Sequence, residues 1–300
     1  MDGRMPETLI PDGPLTDSLF LDGPPSPWPD WLENRRVDDA VVDAAYEGTP
    51  PQLRASIKTG LALAFAHFGQ REKATDSITS HSRAGFWFGA HTRPAPWCCI
   101  LMDASYAAAA RLAAACVLPR LCDVPEVFAV AVGENAPADN VLTALTLSGV
   151  EDVFCLPQPE VSALLEAMAT GSEAGAQGRV LLLHNGALDN LARTLRRLHI
   201  PYYEEYEAPC LAVLPECACN GELLAFAHGA ITPAMSLTAE TRAVFAPAPA
   251  TPQAYASNAL VAEAVQRGLL VLTPGCEGFW LHPGLEPSFF TVQGLASGLL

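Results

Sequence analysis

The chain has 300 residues, half of them apolar, with 33 acidic and 17 basic residues and a net charge of −16. That supplies enough apolar sequence for one large core or two smaller ones and excludes a disordered polymer. The acidic balance excludes nucleic-acid binding, which needs basic surface to neutralise phosphates, and attraction to an anionic membrane.

Membrane insertion is also disfavoured by length, because a spanning helix needs about 18 apolar residues. The best candidate, residues 104–119, is shorter and is interrupted by Arg111. The Pro-rich, acidic N-terminus has no basic start before an apolar run, so it does not read as a signal peptide, and the expected location is cytoplasmic. There are nine cysteines, an odd number, several inside predicted helices and strands. In a reducing compartment such cysteines read as small buried apolar residues rather than disulfide partners.

Residues 1–50 carry two Asp-Gly-Pro triplets and then the run PPSPWPDW. Prolines at this density block helix and sheet, which predicts an extended arm anchored by Leu19, Phe20, Trp28 and Trp31. The arm has two possible seats: an exposed sheet edge of its own domain, or a partner subunit in a homo-oligomer. A helix follows over 51–67, with Pro51 in its first turn and Leu53, Ile57, Leu61, Ala64 and Phe65 at helical spacing. GFWFG (85–89) reads as a short strand, and Asp103 as the cap of an Ala-rich helix over 104–116.

Strands are then predicted at 126–133, 152–156, 179–184 and 211–215, alternating with helices at 136–149, 159–169 and 187–199. Apolar strands separated by helices of this length mean right-handed βαβ units. The fold class is α/β, doubly wound, with a mostly parallel sheet covered on both faces. Beyond Pro215 the pattern weakens: a helix within 221–231, a helix at 256–268, a strand at 269–275, and a closing segment that is mostly loop. The expected organisation is an arm (1–50), a Rossmann-like domain (51–215) and a smaller partial second α/β region (216–300).

No strand-to-helix turn carries the G-x-G-x-x-G that lets backbone N–H groups approach a diphosphate. The turn at 132–140 has one glycine and two acids, Glu134 and Asp139, each costing a bound diphosphate roughly 1 kcal/mol or more. For zinc, the candidate ligands are His228, the C-x-C pair Cys217 and Cys219, and Cys210 upstream, a poorer clamp than paired C-x-x-C motifs. Cys98 and Cys99 on one strand would face opposite sides. His184 ends a strand where open α/β sheets bind ligands, and it is a candidate base with His282 and with His91 beside Arg93. A crevice at the strand ends lined by Trp87, His91, Arg93, Glu160 and His184 is the predicted binding site. There is no G-x-S-x-G, no P-loop, and no Ser-His-Asp or Cys-His spacing.

Residues 50–275 resemble histidinol dehydrogenase in order and local wording. PAPWCCILMDASYAAAARLA, VPEVFAVAVG, ADNVLTALTLSGVEDVFCL, YEAPCLAVLPE and LLAFAHG follow the family's succession of segments, and the third is the nearest match. The resemblance implies a scaffold of Rossmann-like halves with zinc- and NAD-dependent oxidation of an alcohol. It also implies that most working positions have changed. Trp87 stands where the family has a tyrosine, and Glu160 where it has a glutamine. The segment His184 to Gly186 lacks the family's Pro-Gly-Asn, and Leu211 takes the place of a glutamate. Among the zinc ligands, His228 is retained, while Phe226 replaces a glutamine and the region of Gly278 and Phe279 replaces an aspartate. Glu240-Thr241 lacks the catalytic histidine. Two functions follow. One is a non-catalytic relative with a binding or regulatory role and no cofactor. The other is a zinc-dependent, NAD-linked dehydrogenase of an alcohol or amino alcohol.

Overall fold

The computed structural model describes residues 28–69, 75–81, 83–170, 177–184, 186–206, 211–214, 216–229, 232–233, 243–247, 251, 253–254 and 257–299. The central layer is a five-stranded parallel sheet built from β3 (Trp97–Asp103), β4 (Glu126–Val132), β5 (Val153–Leu156), β6 (Arg179–His184) and β7 (Tyr202–Tyr206), in the order β5-β4-β3-β6-β7. Chain order reverses between β3 and β6, which makes their carboxyl ends the topological switch point. The fold is therefore a Rossmann-like α/β layer, as the alternation of strands and helices predicts.

Burial explains why these strands read as continuous apolar runs. Cys98, Ile100 and Met102 of β3 enter one core with α3 (Ala109–Leu121) and α4 (Asp139–Leu147). Trp97, Cys99 and Leu101 enter another with α5 (Gln158–Thr170) and α6 (Asp189–Arg197). Cys98 and Cys99 thus face opposite sides, as a period of two requires. Every residue of α3 from Ala109 to Pro119 is buried, so this helix is apolar all round because it is covered all round.

A second, four-stranded parallel sheet has the order β11-β10-β8-β9, from β8 (Leu211–Val213), β9 (Thr232–Pro233), β10 (Ala243–Phe245) and β11 (Leu270–Leu272). Residues 211–213, which alternation alone would add to the first sheet, pair instead with β9 and β10. The helix α7 (Gly221–His228) connects β8 to β9, and α8 (Ala259–Gln266) connects β10 to β11. Asn220 and Asn258 cap these two helices with their side-chain oxygens. The two lobes close through α2 (Pro51–Phe68): Gly60 meets Gly278 so tightly that a Cβ on Gly60 would lie 1.8 Å from the Gly278 carbonyl oxygen.

Three expectations need correction. Residues 28–50 are not extended: a 3-10 helix spans Asp30–Arg35 and α1 spans Asp39–Gly48, with Asp38 accepting from the Ala40 N–H. The prolines that block helix end at Pro50 on one side and Pro29 on the other, leaving DAVVDAAYEG free to coil. Asp103 does not cap α3. Its carboxylate takes the backbone N–H and hydroxyl of Ser105, a local turn that postpones the helix to Ala109. The closing segment is not a loop, because β12 (Thr291–Leu299) pairs antiparallel with β2 (Phe86–Pro94), which also pairs with β1 (Thr75–His81).

The arm's described part seats on its own domain. Trp28 and Leu32 are buried in the α5–α6 core, Trp28 against Phe128 and Phe154. The Val37 N–H donates to the Val153 carbonyl at 2.8 Å and Arg36 bridges to Phe154, so the segment covers the free edge of β5. Trp31 stays 37% exposed, and Leu19 and Phe20 lie outside the described residues. Among the described residues, no helix is long and apolar enough to cross a membrane.

Candidate functional site

The carboxyl ends of β3, β6 and β7 bring together a buried polar cluster. Arg111 sits in the first turn of α3, directly after the β3 turn, and Glu205 lies on β7; both are buried. The Arg111 guanidinium lies 3.7 Å from Glu205 Oε1, and the Tyr106 hydroxyl donates to Glu205 Oε2 at 2.7 Å. His282 Nε2 donates to the Arg111 carbonyl at 2.7 Å, and its Nδ1 is 3.7 Å from Glu205 Oε1. The guanidinium also stacks on Trp280, 4.6 Å from the ring centroid. Arg111 Nε, Glu205 Oε1, His228 Nδ1 and Trp280 Nε1 are buried without a hydrogen-bond partner among the described residues. Such atoms are costly to bury.

His228 closes this cluster on the side of the second lobe, its ring 5.8 Å from Trp280. Its Nε2 donates to the Glu277 carbonyl at 2.7 Å. Burial, and then the positive charge of Arg111, depress its pKa from 6.5 to about 3, so the ring is neutral. Glu277 in turn accepts from the backbone N–H groups of Gly275 and Asn220, tying the loop before α7 to the loop after β11.

His184, at the end of β6, is fixed by its loop. Its Nδ1 accepts from the Gly186 N–H at 2.9 Å and the Leu188 N–H at 3.2 Å. Backbone amides only donate, so Nε2 carries the ring proton and donates to Glu204 at 3.2 Å. Neither nitrogen retains a lone pair for a substrate proton or a metal. This bears directly on zinc. Among the described residues, His184, Asp189 and Glu204 are the one trio whose donor atoms lie within 4.8 Å of one another. A metal-binding histidine donates its second N–H outward, whereas His184 has its second nitrogen occupied as an acceptor. The trio does not fit a metal.

His228 has the opposite character, with one N–H given to a carbonyl and the other nitrogen free. The C-x-C sulfurs of Cys217 and Cys219 instead contact each other at 2.6 Å, and burial followed by the Cys217 hydrogen bond pushes the Cys219 thiol well up. Among the described residues, Cys217, Cys219 and His228 do not bring three donor atoms within 4.8 Å of one another. Cys210, Glu240 and Thr241 lie outside the described residues. The described residues therefore do not assemble three zinc ligands.

The remaining predicted residues disperse. Trp87, His91 and Arg93 lie on β2, in the antiparallel sheet. His91 pairs with Asp76, and Arg93 reaches Gln177, which precedes the amino end of β6. His184 is at the other end of that strand, roughly 20 Å away at strand rise. The structure does not bring these three residues to the crevice. Glu160 does lie at the carboxyl edge, in the first turn of α5, and its carboxylate pairs with Arg35 at 2.5 Å. The nicotinamide-type turns fare no better: Gly133 alone follows β4, and the β3 turn has no glycine at all.

Tyr106, Glu205 and Trp280 belong to no motif legible in the sequence. Arg111 carried a usable signal, since a lone arginine in an alanine-rich apolar helix must find a buried partner. Glu204 and Glu205 sit in YYEEY, too short and too polar to read as a strand.

The parallel sheet and its switch point define a Rossmann-like α/β scaffold. Among solved structures, the chain is similar to a histidinol dehydrogenase from Elizabethkingia anophelis, with a TM-score of 0.54 at 11% identity, over 90% of this chain and 78% of that one. A methylmalonate-semialdehyde dehydrogenase from Oceanimonas doudoroffii matches with a TM-score of 0.34 and 14% identity, over 76% and 54% of the two chains. An NAD-dependent aldehyde dehydrogenase from Sinorhizobium meliloti matches with a TM-score of 0.36 and 9% identity, over 60% and 38%. At 11% identity the likeness to the histidinol dehydrogenase is one of fold. No family model and no curated protein matches the chain.

Proposed function

We propose that this chain is a non-catalytic relative of the histidinol-dehydrogenase fold, and that its switch-point crevice serves to bind a small polar ligand. The observation that carries this reading is the pairing at the carboxyl edge. His184 spends both ring nitrogens on its own loop and Glu204, and Arg111, Tyr106 and His282 converge on Glu205. A crevice prepared for hydride transfer needs a free base and an approachable backbone for the diphosphate. The strand-end turns lack that backbone, and His184 has no free nitrogen. The free Nδ1 of His228 belongs to a ring that burial makes a poor base, while a few buried polar atoms remain able to hold a small molecule.

One observation favours the alternative, a zinc-dependent NAD-linked dehydrogenase. His228 has the second-sphere bond of a metal ligand, its N–H held by the Glu277 carbonyl. Metal analysis of the purified protein and calorimetric titration with NAD separate the two. We expect no stoichiometric zinc and no saturable heat. One zinc per chain lost in His228→Ala, together with saturable NAD binding, overturns the proposal.

A further inference from the structure

We propose that Cys217 and Cys219 form a reversible redox site, a dithiol that a low-molecular-weight disulfide converts into an internal disulfide. The inference is independent of the crevice and its ligand. Cys98, Cys99, Cys116 and Cys122 are buried and serve as small apolar side chains. Burial pushes the Cys116 thiol up to about 12 and the Cys98 and Cys99 thiols well up, so these sulfurs are inert. Cys155, Cys217, Cys219 and Cys276 are partly exposed. Within that group, the sulfurs of Cys217 and Cys219 are in contact at 2.6 Å.

The fold holds this contact. Both residues lie in the loop from β8 to α7, at the carboxyl end of a strand of the second sheet. The Cys217 N–H donates to the Leu214 carbonyl at 2.9 Å, and the N–H of Asn220, the residue after Cys219, donates to the Glu277 carboxylate at 3.2 Å. Asn220 is also the cap of α7. Both ends of the C-x-C are thus pinned, and the sulfurs meet with the backbone where it stands. Glu216 and Ala218 are exposed, so a small disulfide can reach the pair. Cys276 packs on the same small core and is the thiol best placed to compete.

The reaction is thiol–disulfide exchange. A cysteine thiolate attacks one sulfur of the small disulfide, whose S–S bond breaks, and one small thiolate leaves. The second cysteine attacks the protein sulfur of the mixed disulfide, forms the internal S–S bond and displaces the second small thiolate. Two electrons pass from the protein to the small disulfide, and the two cysteine protons end on the two released thiols. Burial, and then the hydrogen bond to Cys217, push the Cys219 thiol up, so Cys217 makes the first attack and Cys219 the second. A disulfide closed across a single residue is strained, and strained, accessible disulfides are the labile ones. The bond therefore reopens with reduced thiol.

Incubating the full chain with excess oxidised glutathione tests this. The sample is quenched in acid, unfolded, alkylated, and cleaved after glutamate for mass spectrometry. Cleavage after Glu216 and Glu222 releases residues 217–222, which hold both cysteines and leave Cys155, Cys210 and Cys276 on other peptides. The expected peptide is two hydrogens lighter, unalkylated and free of glutathione, and excess reduced glutathione restores both alkylation sites. Cys219→Ser should retain glutathione on this peptide at roughly tenfold or more the wild-type level, because the adjacent thiol that displaces it is gone. Cys155→Ser should leave the result unchanged. Circular dichroism melting confirms that each variant folds, and the wild-type peptide is decisive without them. A wild-type peptide that stays a dithiol, or that keeps as much glutathione as Cys219→Ser, overturns the proposal. So does a link to the Cys210 or Cys276 peptide in place of the internal one, or a bond that reduced glutathione does not reopen.

Discussion

Replacing Arg111 by methionine removes one partner of a buried ion pair and leaves Glu205 buried without its guanidinium counterpart. Arg111 is 9% exposed, Glu205 is 4% exposed, and their charged atoms are 3.7 Å apart. At an effective dielectric constant of about 20, that separation corresponds to a gross attraction of roughly 4 kcal/mol. Breaking one side of a buried pair costs about 3–5 kcal/mol, because the remaining carboxylate loses its counter-charge without regaining water. The Tyr106 hydroxyl and His282 limit this loss without abolishing it, since neither supplies the permanent positive charge of a guanidinium. The double variant Arg111→Met/Glu205→Gln removes the desolvation cost with the attraction. It should unfold nearer to wild type than Arg111→Met alone, with a coupling of about 1–3 kcal/mol. Urea denaturation at pH 7 followed by circular dichroism measures all three free energies. A single variant that loses less than about 1 kcal/mol, or a double variant whose loss equals the sum of the singles, refutes the burial of a working ion pair at the switch point.

Acidification should destabilise the protein through His228. Between pH 6.5 and about 3 the unfolded ring binds a proton that the folded one refuses, so stability falls as pH falls, by about 2 kcal/mol from pH 7 to 5. His228→Asn should flatten that part of the stability profile, and identical slopes for variant and wild type would count against the assignment. Gly60→Ala should destabilise by roughly 1–3 kcal/mol or more, read from the denaturation midpoint, because its new Cβ meets the Gly278 carbonyl rather than a side chain that can swing away. Trp28→Ala should cost about 3–5 kcal/mol, and Trp31→Ala less than about 1 kcal/mol, since only the first tryptophan is buried against Phe128 and Phe154. Equal losses for the two would show that the arm does not dock through Trp28.

The layer of parallel strands was legible because its signal is local. Strands buried on both faces, such as EVFAVAV and RVLLLH, are nearly continuous apolar runs, and α4 between two of the strands is closed by Gly149, which takes a positive φ of 71°. What was not legible depends on partners far along the chain. β12 contains TVQGLASGL, which has no strand-like alternation, and becomes a strand because β2 offers nine residues in register. β7 is half acidic in its middle, and its glutamates are accommodated by His184 and Arg111, which come from other elements. His91 and Arg93 looked like crevice residues because they follow a strand-like run. The strand belongs to a different sheet, and only three-dimensional pairing could reveal that.

The same dependence on distant partners shapes the carboxyl edge of the sheet. Three of the carboxylates at or near the strand ends have an internal counterpart: Glu160 has Arg35, Glu204 has His184, and Glu205 has Arg111. These partners come from a 3-10 helix that covers the edge of β5, from a loop that clamps its own histidine, and from an otherwise apolar helix. In a scaffold where carboxylates faced an incoming cofactor, their charges would have to be met by the ligand or by a metal. Here the protein meets them itself, and the unmet atoms are reduced to one guanidinium nitrogen, one carboxylate oxygen, one indole nitrogen and one imidazole nitrogen among the described residues. A ligand that satisfies both donors and both acceptors at once must carry donor and acceptor groups of its own within a few ångströms of each other. A small polar molecule with both kinds of group meets that condition.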